Sequence, residues 1–480
     1  MQFGHKRLYI DGQLVEAAAG ATRPVICPAD ESTVATIAWA GAADTRRALA
    51  AAERGFRYWS ALPLGERQQW MDRLRRAIDD KRDLLRQSIM HEMGKVWAGT
   101  AEDLDSITDS LRFYATEMEK RQPVEIPDRE GTHHHRIIEQ PLGVVVAFLA
   151  YNFPLLNLGF KLGPALAAGC SIILKPSELS PLSAYILGEI CDEIGFPAGV
   201  INIICGDVAE VGVPLCESTV PRLITMIGST QTAQHLIRQS SATSLKRYSM
   251  ECGGNAPFIV CEDANLDAAV GLGVALKVGN AGQICVAPNR FFIHESHLDS
   301  FIEGMTAAFA DTKLGFGPEE DPDMGPLVNR AAVEKVDGIV REALAQGGEL
   351  VSGGELPDGP GFYYPPTLVK LDDPRAPVLQ REIFGPVALV TAFSDPREVL
   401  ALANDTEAGL ASYVFSNRQE DLDLFSEGLE FGEVQLNGVK YAIYLPHGGV
   451  KNSGIGVDCS TYALDDYLVK KRVSTALSPA

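Results

Sequence analysis

Cys285 stands in the run Gly279-Asn280-Ala281-Gly282-Gln283-Ile284-Cys285-Val286-Ala287-Pro288. Glu251, 34 positions earlier, stands in Met250-Glu251-Cys252-Gly253-Gly254-Asn255-Ala256-Pro257. Small residues flank both groups, and glycine and alanine let backbone approach a ligand where larger side chains would block it. A thiol and a carboxylate so placed pair a nucleophile with a base: sulfur attacks a carbonyl carbon, and the carboxylate then activates water to release the acyl group. Asn152, in Tyr151-Asn152-Phe153-Pro154, adds an amide that could donate to an oxyanion, a contact worth roughly 3 kcal/mol of transition-state stabilisation. Each group has an ordinary alternative. Cysteine is most often a buried structural thiol, as read for Cys170, Cys205 and Cys261; Glu251 could be an ion-paired carboxylate at a strand end, and Asn152 could simply hold a turn.

A second set of residues offers a seat for a nucleotide. Lys175-Pro176-Ser177-Glu178 follows the strand-like Ser171–Leu174, where a nucleotide ribose lies in α/β folds. Glu178 could accept both ribose hydroxyls and would repel a 2′-phosphate, which favours NAD over NADP. Gly228-Ser229-Thr230 closes an apolar run and opens a helix, so its N–H groups and hydroxyl could face a pyrophosphate; in isolation such a triplet is a helix N-cap. The glycines of Gly206-Asp207-Val208-Ala209-Glu210-Val211-Gly212 do not have GxGxxG spacing, so the usual dinucleotide fingerprint is missing.

These groups need elements to hold them. Gly143–Ala150, Ser171–Lys175, Val200–Cys205, Arg222–Ile227 and Pro257–Val260 are short apolar runs alternating with helical or loop segments. That rhythm predicts βαβ units around a parallel sheet, with a ligand crevice at the carboxyl ends of the strands. A second alternating region, about Arg290 to Val434, predicts another α/β domain. Before them, Thr45–Trp59 and Leu64–Met93 carry apolar residues at helical spacing. Pro141–Phe160 has 20 residues and no charge, but Pro154, Gly159, Asn152 and Asn157 interrupt it, so it reads as a strand, a loop and a helix from about Leu155 rather than a membrane span. Lys120–Glu139, with Pro123, Pro127 and His133-His134-His135, reads as an exposed ribbon. Adjacent histidines of a strand face opposite ways and no cysteine or carboxylate stands at ligand spacing, so no metal site is assigned. Tyr467–Thr475 reads as a terminal strand added to an edge.

Composition bounds the partners. The chain has 480 residues, 46% of them apolar, enough for two or three domains with large cores. Lys plus Arg is 42 and Asp plus Glu is 63, giving 42 − 63 = −21, which disfavours nucleic acid and anionic membranes. Nine cysteines without a CxxC pair suggest free thiols in a reducing compartment. The start lacks the apolar core of a signal peptide, and a cytoplasmic location is expected.

Asn-Phe-Pro, Lys-Pro-Ser-Glu, Gly-Ser-Thr, Glu-x-Gly-Gly-Asn, Gly-Gln-x-Cys, Glu-Ile-Phe-Gly-Pro and Gly-Gly-x-Lys-x-Ser-Gly occur in this order, and with them nearly the whole chain resembles the aldehyde dehydrogenase superfamily. The resemblance implies a Rossmann-like NAD-binding domain (1–119 and 141–249), a catalytic α/β domain (250–462), and a β-ribbon with a terminal strand (120–140 and 463–480) joining subunits of a homodimer or homotetramer. It implies Cys285 as the thiolate, Glu251 as the general base, and Asn152 with the Cys285 N–H as the oxyanion hole. Lys161 and Asp458 match positions tied to the proton relay of the base. Leu149, Tyr151, Lys175, Ser177, Glu178, Gly206, Gly228, Ser229, Cys252, Glu382 and Phe384 would hold NAD, preferred here, with NADP possible. The reaction implied is NAD(P)-dependent oxidation of an aldehyde to a carboxylic acid through a thiohemiacetal and a thioester; Glu251 argues for a free acid rather than a coenzyme A ester.

Departures bear on the substrate. Pro-Trp before Asn-Phe-Pro is replaced by Ala150-Tyr151, and the aromatic residue common before the final Gly-Gly is His447. Succinic semialdehyde dehydrogenases place arginines where alignment puts Phe160 and Gly279, so their dicarboxylate clamp is missing. Asn157, Phe160, Ile284, Val286, Lys440, Tyr441 and His447 would line the substrate end, and with Tyr444 the polar members suggest a small hydroxylated or anionic aldehyde. The alternatives are a general aliphatic or aromatic aldehyde oxidiser, a thiol hydrolase acting without a cofactor, and a non-catalytic relative used for binding.

Overall fold

The computed structural model describes residues 3–477; the expected ranges extend to residues 1–2 and 478–480, which lie outside the described residues. Among the described residues the chain forms two large sheets and two small ones. The first large sheet runs, edge to edge, Gly454–Ile455, Arg247–Glu251, Pro221–Ile227, Val144–Phe148, Ser171–Lys175, Ile201–Ile203, Leu8–Ile10 and Gln13–Val15. Its five inner strands are parallel, and the added edge strands are antiparallel. Val144–Phe148 is buried along its whole length, as a branched apolar strand must be when helices cover both faces of a parallel sheet.

The order of these strands fixes where a ligand can lie. From Val144–Phe148 the chain moves to Ser171–Lys175 and Ile201–Ile203 on one side, then crosses to Pro221–Ile227 and Arg247–Glu251 on the other. The crevice at such a reversal opens beyond the carboxyl ends of the strands. Asn152, Lys175, Gly228 and Glu251 all stand at those ends.

The second large sheet runs Glu349–Ser352, Thr367–Lys370, Val387–Phe393, Pro288–His294, Ala256–Val260, Ala411–Phe415 and Glu433–Leu436. It is parallel except at Glu349–Ser352. Its core holds an aromatic cluster of Phe258, Phe291, Phe301, Tyr413 and Phe415. Arg290 is buried without a carboxylate and is satisfied instead by the carbonyls of Asn255, Leu402 and Ala403 at 2.8–3.2 Å.

Several boundaries differ from the sequence expectation. The helical stretch Leu64–Met93 breaks at Lys81 into Leu64–Asp80 and Arg82–Met93. Val200–Cys205 contributes only Ile201–Ile203 to the ladder. The catalytic segment expected over 250–462 returns to the first sheet, where Gly454–Ile455 pairs with Met250–Glu251; the edge strand carrying Glu251 gains its outer hydrogen bonds from there. The uncharged stretch resolves into the strand Val144–Phe148 and the helix Pro154–Ala168. Among the described residues no helix is long and apolar enough to cross a membrane.

The helix Pro154–Ala168 carries Asn157, Phe160 and Lys161, and its start is held firmly. Proline suits the first turn, where its missing N–H is not needed. Asp103, fully buried, accepts from the N–H groups of Leu155 and Leu156 at 3.0 and 3.1 Å, and is itself paired with buried Lys95 at 2.6 Å. Gly159 lies against the Ile107 backbone so closely that a Cβ would come within 2.7 Å of it.

Val124–Ile126, His133–Pro141 and Leu468–Ala476 form an antiparallel three-stranded ribbon. The His133 and His135 rings stack 5.8 Å apart on one face, while His134 pairs with Glu125 at 2.6 Å. Among the described residues no cluster of three or more His, Cys, Asp or Glu side chains is arranged to hold a metal ion.

Candidate active site

A cleft of about 1500 Å³ lies between the two large sheets, and Cys285, Glu251 and Asn152 share its wall. Eight of the nine cysteines are buried, and Cys285 is the partly exposed one. It follows a tight loop in which Asn280 and Ala281 have left-handed backbone (φ 49° and 53°), a conformation that costs energy unless neighbours enforce it. Buried Gln283 enforces it, donating to the Asn280 carbonyl at 3.1 Å and accepting from the Val328 N–H at 3.0 Å. The Glu-x-Gly-Gly segment packs directly on this loop: a Cβ on Gly254 would strike the Cys285 carbonyl, and one on Gly253 would strike the Glu382 carboxylate. Gly254 therefore lets the segment that carries Glu251 pack against the Cys285 backbone.

Asn152 donates to the Gln283 carbonyl at 3.0 Å, and its own carbonyl oxygen accepts from Asn157 at 3.2 Å. Asn157 thus fixes which way the amide points. An amide nitrogen has two protons, so one remains free for a bound oxygen. Glu251 is 3% exposed, and neither of its oxygens has a protein partner among the described residues. Burial, and next the nearby charge of Asp458, push its carboxyl well above the usual carboxylate range. Asp458 receives both of its bonds from Lys161 at 2.6 and 2.7 Å, with both side chains fully buried. Lys161 lies behind the cleft wall rather than on it and is paired with Asp458.

Of the residues expected at the cofactor, Lys175, Ser177 and Glu178 lie at the end of their strand and line the cleft with Leu149 and Tyr151. Ser229 caps the helix Thr230–Ser241, accepting from the Thr232 N–H at 3.2 Å. The cap does not consume the site: Gly228 and Ser229 still line the cleft. Glu382 accepts from the Gly254 N–H at 3.2 Å, and Phe384, held at a positive φ of 55°, sets its ring edge-on to Tyr151 at 5.8 Å. Cys252 also faces the cleft. Gly206 does not; it packs where a Cβ would run into the Ala40 carbonyl and Val211.

Asn157, Phe160, Ile284, Val286, Lys440, Tyr441 and His447, expected at the substrate, also line the cleft. Tyr444 is 57% exposed and lies outside the lining. His447 donates from Nδ1 to Glu433 at 2.6 Å. Burial opposes its charging, but the nearby Cys285 thiol and Glu433 carboxylate outweigh that and raise the imidazole well above the usual histidine range.

The family model described as "Aldehyde dehydrogenase family" matches residues 14–473. The chain belongs to the aldehyde dehydrogenase family. It is 37% identical over 469 residues to a glutarate-semialdehyde dehydrogenase of Pseudomonas putida, spanning 97% of each chain. It is 36% identical over 469 residues to a 3-sulfolactaldehyde dehydrogenase of Pseudomonas putida, spanning 98% of this chain and 96% of the relative. A betaine aldehyde dehydrogenase of Staphylococcus aureus, solved in complex with NAD+, superposes with a TM-score of 0.95 at 31% identity, over 99% of this chain and 95% of that one. As an aldehyde dehydrogenase the chain is an oxidoreductase acting on aldehydes with a nicotinamide dinucleotide.

The residues of this aldehyde dehydrogenase fit that dinucleotide: an exposed carboxylate at a strand end, a capped helix N-terminus and a half-buried carboxylate against Gly253 and Gly254 lie along one continuous cleft. Sequence reasoning missed three cleft-side groups. Arg23 stacks over Trp39 at 4.5 Å and reaches Glu178 at 3.6 Å. Lys335 stands near Glu382 and partly offsets the upward push of burial on that carboxyl. Glu433 sits beside His447. None belongs to a local motif, and only Glu433, a carboxylate opening an otherwise apolar strand, carried any signal.

Proposed function

We propose that Cys285, Glu251 and Asn152 carry out the NAD-dependent oxidation of a small hydroxylated or anionic aldehyde to its carboxylic acid. The observation that carries this is Glu251: a buried carboxylate with two unpartnered oxygens, sharing a cleft with the one partly exposed cysteine. Cys285 adds through sulfur to the aldehyde carbon, and the developing oxyanion accepts hydrogen bonds from the free Asn152 side-chain N–H and the Cys285 backbone N–H. A nicotinamide dinucleotide, held by Lys175, Ser177, Glu178, Ser229, Glu382 and Phe384, supplies the hydride acceptor. Glu251 then removes a proton from water, which hydrolyses the thioester on Cys285. Lys161 and Asp458 pass that proton onward. Glu178 favours NAD because its carboxylate repels a 2′-phosphate.

The 3-sulfolactaldehyde dehydrogenase relative supports the small polar class, and the glutarate-semialdehyde dehydrogenase relative supports an anionic aldehyde. Phe160 and Gly279 in the cleft wall, where a dicarboxylate clamp needs arginine, speak against a long anionic chain. The enzyme acts in the cytoplasm, in keeping with nine free thiols, as a homodimer or homotetramer joined through the exposed ribbon. The test is aldehyde-dependent NADH formation by the purified chain. It is expected in the wild type and lost in Cys285→Ser; turnover that persists without cofactor overturns the assignment.

A further inference from the structure

Glu178, the carboxylate set to take the ribose hydroxyls, does not stand alone. Arg23, on the strand Thr22–Ile26, brings Nη1 to 3.6 Å from Glu178 Oε2, and the two side chains are 46% and 45% exposed. That separation is an ion pair too long for a hydrogen bond, and among the described residues the guanidinium meets no other carboxylate. Its place is set by Trp39, over which it stacks at 4.5 Å. Trp39 is buried and anchored: its indole N–H donates to Asp207 Oδ2 at 3.1 Å, and the N–H of the next residue, Ala40, donates to the Cys205 carbonyl at 2.8 Å. Cys205 follows the strand Ile201–Ile203, which neighbours Ser171–Lys175 in the sheet. The Trp39 platform is therefore fixed beside the turn that carries Lys175 and Glu178. An arginine near the ribose carboxylate at such a strand end can accommodate a 2′-phosphate, and its planar fork suits two phosphate oxygens.

We propose that Arg23 receives the 2′-phosphate of NADP, exchanging Glu178 for the phosphate while Trp39 holds the guanidinium, so that the cleft takes both dinucleotides with NAD ahead. This rests on the dinucleotide reading of the cleft and goes beyond it, because Glu178 alone would turn NADP away. With NAD, Glu178 accepts from the ribose hydroxyls and Arg23 stays beside it. With NADP, charge-assisted bonds from Arg23 offset the repulsion by Glu178. Lys175, lining the cleft from the same turn, adds a second cation, and Glu178 and Asp207 are the opposing carboxylates.

Calorimetric titration of the aldehyde-free protein with NAD+, NADP+ and 2′,5′-ADP reads the site without turnover. Both dinucleotides are expected to bind the wild type. Arg23→Gln should weaken NADP+ and 2′,5′-ADP by about tenfold or more while moving NAD+ by less than about threefold. Arg23→Lys, which keeps the charge and loses the fork, should fall between the wild type and Arg23→Gln. Glu178→Gln should tighten NADP+ and weaken NAD+. For any aldehyde the enzyme oxidises, the NADP-to-NAD ratio of kcat/KM should follow the same order across these variants. NAD+ binding with no NADP+ binding overturns the proposal. So does an equal loss of both dinucleotides in Arg23→Gln, the pattern of an arginine that only orients Glu178. Binding of neither dinucleotide to the wild type overturns the wider reading of the cleft, and this proposal with it.

Discussion

Glu251 is a carboxyl whose environment disfavours its working form. Burial and Asp458 raise its pKa, and a protonated carboxyl cannot take a proton from water. The deprotonated fraction grows as pH rises through the raised value, so where deacylation limits turnover the steady-state rate should climb with pH beyond the usual carboxylate range. A pH–rate profile checks this, and Glu251→Gln should lose that limb. The same variant should give a burst of NADH close to one equivalent per site followed by little turnover in stopped-flow traces, because acylation of Cys285 does not use the base. Unchanged steady-state turnover would reject Glu251 in this role.

At the scale of elements, the helix Pro154–Ala168 delivers Asn157, Phe160 and Lys161, and Asp103 secures its first turn while pairing with Lys95. Asp103→Ala removes two helix-start bonds and leaves a buried ammonium unpaired. Breaking a buried pair from one side costs about 3–5 kcal/mol, and denaturant unfolding should show a loss of that size. The replacement also loosens the helix that orients Asn152 through Asn157, so kcat should fall in whatever fraction stays folded. Lys95→Met with Asp103→Leu, which removes both charges, should recover much of the stability but not the helix cap.

At the scale of the whole molecule, the three-stranded ribbon leaves its edge strand Val124–Ile126 exposed along its whole length. Val124 and Ile126 are 56% and 45% exposed on its edge strand, and the terminal strand Leu468–Ala476 pairs along nearly all of His133–Pro141. Exposed apolar residues on a strand edge invite pairing with another chain. Val124→Glu with Ile126→Glu should lower the mass seen by sedimentation velocity while leaving the monomer fold, read by circular dichroism, intact. An unchanged sedimentation profile would remove the ribbon from the interface.

How much of this was legible along the chain follows from the range of each interaction. Ser171–Lys175 appears in the structure as read, and Pro154–Ala168 begins one residue early, because strand and helix periodicities and the proline start are local signals. Cys285, Glu251, Asn152 and the Lys175–Glu178 turn could be singled out because small residues and strand ends mark places where backbone meets a ligand. Gly206, assigned to the cofactor only through the family resemblance, packs against Ala40, since a glycine shows only that something is close, not what. Residue types and spacing by themselves determined the chemistry available, a thiol, a base, an amide donor and a dinucleotide seat, and through the ordered motifs the family. Only the tertiary structure decided that Gly254 presses on Cys285, that Arg23 meets Glu178, that Lys161 pairs with Asp458, and that His447 pairs with Glu433. Those pairs join segments far apart in the chain, and what brings them together is the order of strands in two sheets, which no local spacing encodes.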